Sequence, residues 1–264
     1  MGADILLAAA MVGGVGLFVG IFLSIAGKKF AVKVDEREAA LIEALPGANC
    51  GACGYSGCAA LAAAIVKGEA PVTACVVGQA PVAEALAEIM GGDADTGATR
   101  MVAFVHCIGD CEKTTERYEL TGGDHSCSVI SFSPGKGPKS CSFGCMGYGD
   151  CVNVCEYGAI SIVNGIAKID PDKCVDCKKC MKTCPKHLIT EVPYDRAVAI
   201  GCASLERGKP VIDACKAGCI ACTKCVQVCP QKAIEMKGNI PVIDYDKCTK
   251  CGLCKESCPR KCIV

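Results

Sequence analysis

Eight cysteines in this chain recur at a fixed offset of 74 residues. Cys141, Cys145, Cys151, Cys155, Cys174, Cys177, Cys180 and Cys184 return as Cys215, Cys219, Cys225, Cys229, Cys248, Cys251, Cys254 and Cys258, so one half is a copy of the other. Three of the four runs read C-x2-C-x2-C-x3-C-P, a spacing that holds iron–sulfur clusters. Thiols two or three residues apart suit one metal centre better than bridges to distant strands. Disulfides and structural zinc are the competing readings. The spacing argues for iron–sulfur clusters, and so for electron transfer.

In two-cluster ferredoxins the fourth cysteine of each run ligates the other cluster. That rule groups Cys219, Cys222, Cys225 and Cys258 in one site, and Cys248, Cys251, Cys254 and Cys229 in its partner. Pro230 and Pro259 follow the crossing cysteines. The first copy is imperfect. Cys174, Cys177, Cys180 and Cys155 make a regular set, although Glu156 stands where Pro230 does. The other set has Cys145, Cys151 and Cys184, with Tyr148 in the slot of Cys222. Either that site holds a three-iron [3Fe-4S] cluster, or Cys141, four residues before Cys145, supplies the missing thiolate; the reading favours Cys141. Cys50, Cys53, Cys58 and Cys75 form a self-contained fifth set in a glycine-rich stretch.

These assignments give five [4Fe-4S] clusters from 20 of the 26 cysteines. Cys262 aligns with Ala233 and reads as a packed thiol. Cys107, Cys111, Cys127, Cys202 and Cys215 remain. Four of them can make a sixth cluster, with Cys127 matching Cys202 across the repeat to within one residue; the alternative is buried reduced thiols.

The elements that carry these residues follow from periodicity and turn signals. Ile5 to Ala26 is a run of 22 residues without a charge. As a helix it spans about 33 Å, enough for a bilayer core. Lys28, Lys29, Lys33 and Arg37 follow it, which predicts a single-pass anchor with the C-terminal domains in the cytoplasm. A cleaved signal peptide fits poorly, because no basic segment precedes the run. Gly16 and Gly20 form a G-x-x-x-G that suits close helix packing or simply tolerates lipid. A short helix is expected over 35–45, capped by Asp35 and stopped at Pro46-Gly47. Helices are also expected near 59–67 and 82–90, and two short strands around a turn near Gly238. The predicted division is an anchor at 1–28, a four-cysteine iron–sulfur domain at 34–92, a linker at 93–100, a cysteine-containing insert at 101–140, and ferredoxin-like modules at 141–190 and 202–264. The class is α+β: one transmembrane helix, a small α-rich iron–sulfur domain, then tandem dicluster modules.

Composition agrees. With no Trp, 6 Phe and 6 Tyr in 264 residues, large side chains are too few for one conventional core, so metal staples are expected. The formal net charge is zero, and each oxidised cluster with four thiolates adds about −2. Five or six clusters move the loaded protein to about −10 to −12, which excludes a nucleic-acid partner. No nucleotide-binding loop or triad is present, so a complete NAD site is not expected in this chain.

The uncharged N-terminal helix, the stretch Leu45-Pro46-Gly47-Ala48-Asn49-Cys50-Gly51-Ala52-Cys53-Gly54-Tyr55-Ser56-Gly57-Cys58 and the tandem cysteine repeats together resemble the B subunit of the Rnf complex, in its long, multi-cluster form. The resemblance covers essentially the whole chain. It implies a subunit of a membrane-bound ferredoxin:NAD oxidoreductase that moves Na+ or H+. It also implies soluble ferredoxin as electron donor, with membrane and flavin-carrying subunits as partners. A membrane-anchored polyferredoxin of a hydrogenase or quinone-linked reductase, and a non-redox zinc scaffold, are the other readings.

Overall fold

A computed structural model describes residues 2–29, 35–92, 99–123 and 125–264, with side chains in the first helix described only at residue 11 and residues 13–25. Helix α1 spans Gly2–Lys29. Its described apolar side chains stand free, with Phe18 71 % exposed. Among the described residues no helix is long and apolar enough to cross a membrane. The expected linker falls almost wholly on 93–98, outside the described residues.

Three helices build the N-terminal unit: α2 (Glu36–Ala44), α3 (Cys58–Val66) and α4 (Gln79–Met90). Asp35 caps α2 by accepting the Arg37 N–H at 3.0 Å, the arrangement its side chain favours. Gly91 ends α4 in the left-handed region at φ 72°, where a residue without Cβ is least strained. Leu41, Leu61, Ile65 and Leu86 are sealed between these helices. A single 3-10 turn, Val72–Ala74, delivers Cys75 back to the start of α3.

Beyond this unit the elements repeat at the cysteine offset. The first module has α6 (Asp150–Asn153), the hairpin β2 (Ile160–Val163) and β3 (Ile166–Ile169), and α7 (Lys179–Thr183). The second has α9 (Lys224–Gln227), β5 (Ile234–Lys237), β6 (Ile240–Ile243) and α10 (Leu253–Glu256). The β2–β3 hairpin turns at Asn164-Gly165, both with positive φ, the pair that a tight hairpin selects. The remaining elements are β1 (Met101–Val105), α5 (Cys127–Ile130), β4 (Ile189–Pro193) and α8 (Lys209–Ala214).

The expected insert is no separate unit. Strand β1 pairs antiparallel with β4, Met101 against Pro193 and Val105 against Ile189. Val102 and Val192 pack into the core of the first module. The second module repeats this pattern: Ala199 and Val264 exchange backbone hydrogen bonds of 2.8 and 2.9 Å, and the Gly201 N–H donates to Cys262 O. Each module is therefore closed by a strand that precedes its first cysteine run. The cores are small, and Cys151, Cys174, Cys180, Cys219, Cys225 and Cys254 are part of them. Whatever these thiols bind contributes to folding.

Candidate metal centres

The cysteines converge on discrete pockets. Cys50, Cys53, Cys58 and Cys75 line one of about 320 Å³. Its loop is held by Asn49, whose Oδ1 accepts the Cys58 N–H at 2.8 Å. Cys155, Cys174, Cys177 and Cys180 line a second, of about 350 Å³. There the Ala103 N–H of β1 donates to Cys174 Sγ at 3.3 Å.

The third pocket, of about 410 Å³, is lined by Cys127, Cys145, Cys151 and Cys184. This corrects the expectation for Cys141. The fourth thiol lining this pocket comes from α5, in the segment between β1 and the first cysteine run. Asp150 fixes its backbone: one carboxylate oxygen accepts the Cys127 N–H at 2.8 Å, the other the Ser128 N–H at 2.9 Å. The Cys127 thiol, pushed up by burial, faces the backbone N–H of Tyr148, so it stands where a cysteine at Tyr148 would have reached. The neighbouring Gly147 lets this loop approach the β2–β3 turn. Its φ is +85°, and a Cβ there would lie 2.4 Å from Gly165 O.

Cys141 instead lines a pocket of about 430 Å³ with Cys107, Cys202 and Cys215. Of the five cysteines left over from the sequence, three are here. Cys127 is in the third pocket. Cys111 is exposed and belongs to none, its N–H bonded to Asn164 O on the β2–β3 turn. The counterpart of Cys202 is Cys107, not Cys127: the Cys145 N–H donates to Cys107 Sγ and the Cys219 N–H to Cys202 Sγ, both at 3.3 Å.

In the second module Cys225 is pushed up to about 11, by burial and then by Cys219, Cys222 and Cys258, the set expected there. Cys254 is raised by burial, with Cys248 and Cys251 adding to it. Cys229 accepts the Ala233 N–H at 3.3 Å. Cys222 and Cys251 are exposed. Cys262 is buried, with Sγ 3.5 Å from Cys258 Sγ. Its sulfur neighbours, Cys219 first, and burial push its thiol up, which favours the S–H form beside Cys258. Removing one such bond costs at most about 1 kcal/mol, or roughly 40 mV for a one-electron couple. Cys262→Ala is expected to leave iron content unchanged and to move one midpoint potential negative by up to that amount. A redox titration with unaltered potentials would remove Cys262 from this role.

The pockets fit iron–sulfur clusters. Burial and neighbouring sulfurs push Cys151 and Cys180 up to about 12, so these thiols become thiolates only when a cation compensates them. A single zinc ion draws its sulfurs to about 3.8 Å apart. Among the described residues no group of three or more His, Cys, Asp or Glu closes around one ion. Backbone N–H groups reach the sulfurs of Cys107, Cys145, Cys174, Cys202 and Cys229, the contacts that tune a cluster's potential.

The pockets also adjoin one another. The Tyr157 hydroxyl is raised by burial, then by Cys50 and Cys177, so it lies between the first and second. Cys180 is among the charges acting on Cys151, linking the second to the third. Of the lysines beside the cluster loops, Lys178 pairs with Glu191 at 2.5 Å, Lys179 with Glu156 at 2.5 Å, and Lys250 with Asp195. Lys182, Lys224 and Lys255 have no carboxylate in salt-bridge range among the described residues.

Cysteine pockets of this kind, built on a duplicated hairpin module, define a multi-cluster ferredoxin-type protein. Comparison with known families agrees. A family model for a 4Fe-4S dicluster domain matches residues 140–188 and 218–262, a second of the same description matches 173–234, and one for an Fe-S cluster matches 45–77. The chain is 46 % identical over 260 residues to the B subunit of the Na(+)-translocating ferredoxin:NAD(+) oxidoreductase complex of Acetobacterium woodii, covering 98 % of this chain and 77 % of that one. It is 38 % identical to the B subunit of the proton-translocating ferredoxin:NAD(+) oxidoreductase complex of Clostridium ljungdahlii, over 93 % and 87 % of the two chains. It is 35 % identical to the B subunit of the ion-translocating oxidoreductase complex of Methanosarcina acetivorans, over 96 % of each. The chain belongs to the B-subunit family of the ferredoxin:NAD oxidoreductase complex, the Rnf complex.

Proposed function

We propose that this chain is the electron-transfer subunit of an ion-translocating ferredoxin:NAD oxidoreductase, taking electrons from reduced soluble ferredoxin and passing them to membrane and flavin-carrying subunits. The observation that carries this reading is the succession of adjoining cysteine pockets. Five sets would hold [4Fe-4S] clusters: Cys50, Cys53, Cys58 and Cys75; Cys155, Cys174, Cys177 and Cys180; Cys127, Cys145, Cys151 and Cys184; Cys219, Cys222, Cys225 and Cys258; and Cys229, Cys248, Cys251 and Cys254. Such a cluster, when bound, gains and loses one electron with little change in geometry.

The chain's own residues supply the rest. Ala103, Ala167 and Ala233 donate backbone hydrogen bonds to ligand sulfurs, at 3.3, 3.4 and 3.3 Å, which favours the more negative, reduced state. Input suits the second module, where Cys222 and Cys251 reach the surface beside Lys224 and Lys255. These free ammonium groups are placed to receive an acidic donor. Output suits the Cys50 unit, which follows α1 directly. The uncharged run from Ile5 to Ala26 supports α1 as a single-pass anchor in the cytoplasmic membrane, and the exposed Leu17, Phe18, Phe22 and Leu23 give it an apolar surface.

Deleting residues 1–28 tests both parts together. The shortened chain is expected to leave the membrane fraction, keep its iron and acid-labile sulfide, and still be bleached by reduced ferredoxin. A shortened chain that stays with the membrane disproves the anchor. One that binds iron but takes no electrons from ferredoxin disproves the donor.

A further inference from the structure

We propose that Cys107, Cys141, Cys202 and Cys215 hold a further [4Fe-4S] centre, at the seam between the two modules, to which each copy contributes two thiols. The inference rests on the iron–sulfur reading above and extends it to residues outside the ferredoxin cysteine runs.

The seam is built from both copies in equivalent ways. Cys107 follows β1 and Cys202 follows the strand that closes the second module; Cys141 and Cys215 are related by the repeat offset. The Cys145 and Cys219 N–H groups, also one offset apart, donate to Cys107 Sγ and Cys202 Sγ. The Lys186 ammonium donates to Gly144 O at 2.8 Å, and Arg260, its counterpart, donates to Gly218 O at 3.3 Å. Each copy thus contributes two thiols, one backbone donor to sulfur and one cation. Backbone bonds tie the two halves: the Ile108 N–H reaches Gly201 O at 3.1 Å, and the His106 ring bonds Ile200 O at 2.6 Å.

Two features beside this pocket favour an anionic group there, although Lys186 also lines the Cys145 pocket. The first is space that glycine preserves. A Cβ on Gly109 would lie a tight 3.1 Å from Cys215 Sγ and 3.2 Å from Thr114 Cγ2, while one on Gly144 would be in ordinary contact with Cys107 and Cys141. The second is charge. Lys139 is only 4 % exposed, and its ammonium meets Gly165 O at 2.7 Å and Gly109 O at 3.5 Å. Among the described residues neither Lys139 nor Lys186 has a carboxylate in salt-bridge range. A buried cation without an anion is costly. Four thiolates around a four-iron core leave a net charge of about −2, which supplies that anion.

The position has a consequence for connectivity. Cys145 and Cys219, ligands of the pockets on either side, are the residues whose N–H groups touch the seam sulfurs. A one-electron centre held by these four cysteines would relay an electron between the Cys145 and Cys219 sites, with no net change in itself. With that centre the Cys219 set joins the series of sites that runs back to Cys50.

Iron and acid-labile sulfide counting on the full chain, purified anaerobically and reconstituted, decides the matter. The expected content is about 24 iron atoms per chain, against about 20 if the seam is empty. Cys202→Ala is expected to lose about one to four of these, while Cys111→Ala loses none. A full chain that saturates at about 20, zinc at the seam by anomalous scattering, or a Cys202→Ala chain with undiminished iron overturns the proposal. Failure of the underlying iron–sulfur reading looks different, because acid-labile sulfide is then absent altogether.

Discussion

The Cys127→Ala chain is expected to carry one three-iron cluster in place of a four-iron one, seen as a new EPR signal in the oxidised protein and the loss of about one iron. Cys145, Cys151 and Cys184 remain around that pocket, and Tyr148 offers no thiolate. A sharper form of the experiment uses the repeat itself. Tyr148→Cys recreates the slot of Cys222, so the double substitution Cys127→Ala with Tyr148→Cys is expected to restore the four-iron centre. The same rescue applied to Cys141→Ala has no effect, because Cys141 faces the other pocket. If Cys127→Ala leaves iron and spectrum unchanged, Cys127 is not a ligand. A restored centre in Cys141→Ala with Tyr148→Cys would instead return Cys141 to the Cys145 set.

Cys75→Ala has the second large effect, and acts on function rather than on one spectrum. Cys75 lies on the segment that joins α3 to α4, and its thiol, raised by burial, faces the N–H groups of Gly78 and Val77. In the assembled complex, ferredoxin-dependent NAD reduction is expected to fall to background. Reduction of the remaining clusters by ferredoxin should proceed at its normal rate, since the docking site proposed for the donor is on the far module. Stopped-flow bleaching beside steady-state NADH formation separates the two. A variant that bleaches normally and still makes NADH shows that electrons leave by another route.

The sequence is informative where ligands are local and silent where they are not. The eight repeated cysteines, the hairpins between them and the Cys50 set can be read because their spacings lie within one loop or one turn. The fourth ligand of the Cys145 set cannot, because Cys127 and Cys141 are both within a short chain's reach and spacing does not say which loop folds back. Gly144 and Gly147 suggest a loop in which Cys141 returns; Gly147 in fact lets the loop approach Gly165. One signal is present. In the copy that lacks the cysteine at Tyr148, Asp150 replaces Lys224 two residues on, and that carboxylate is what positions Cys127. The pairing of Cys107 with Cys202 is hidden by an insertion: 34 positions separate Cys107 from Cys141, but 13 separate Cys202 from Cys215. Lys139 and Lys186 look like ordinary surface lysines, because burial has no sequence mark.

The seam also records how such a chain can arise. Each copy brings half of a four-thiol site and none of it twice, so a lone ancestral module would have been self-complementary: two identical chains, meeting face to face, complete one shared metal site in an isologous dimer. Tandem duplication of such a module would fuse the two partners and keep the face they shared. Once fused, the halves were free to diverge, and the first copy could give up a cysteine at Tyr148 because the enlarged segment before Cys141 brought in Cys127.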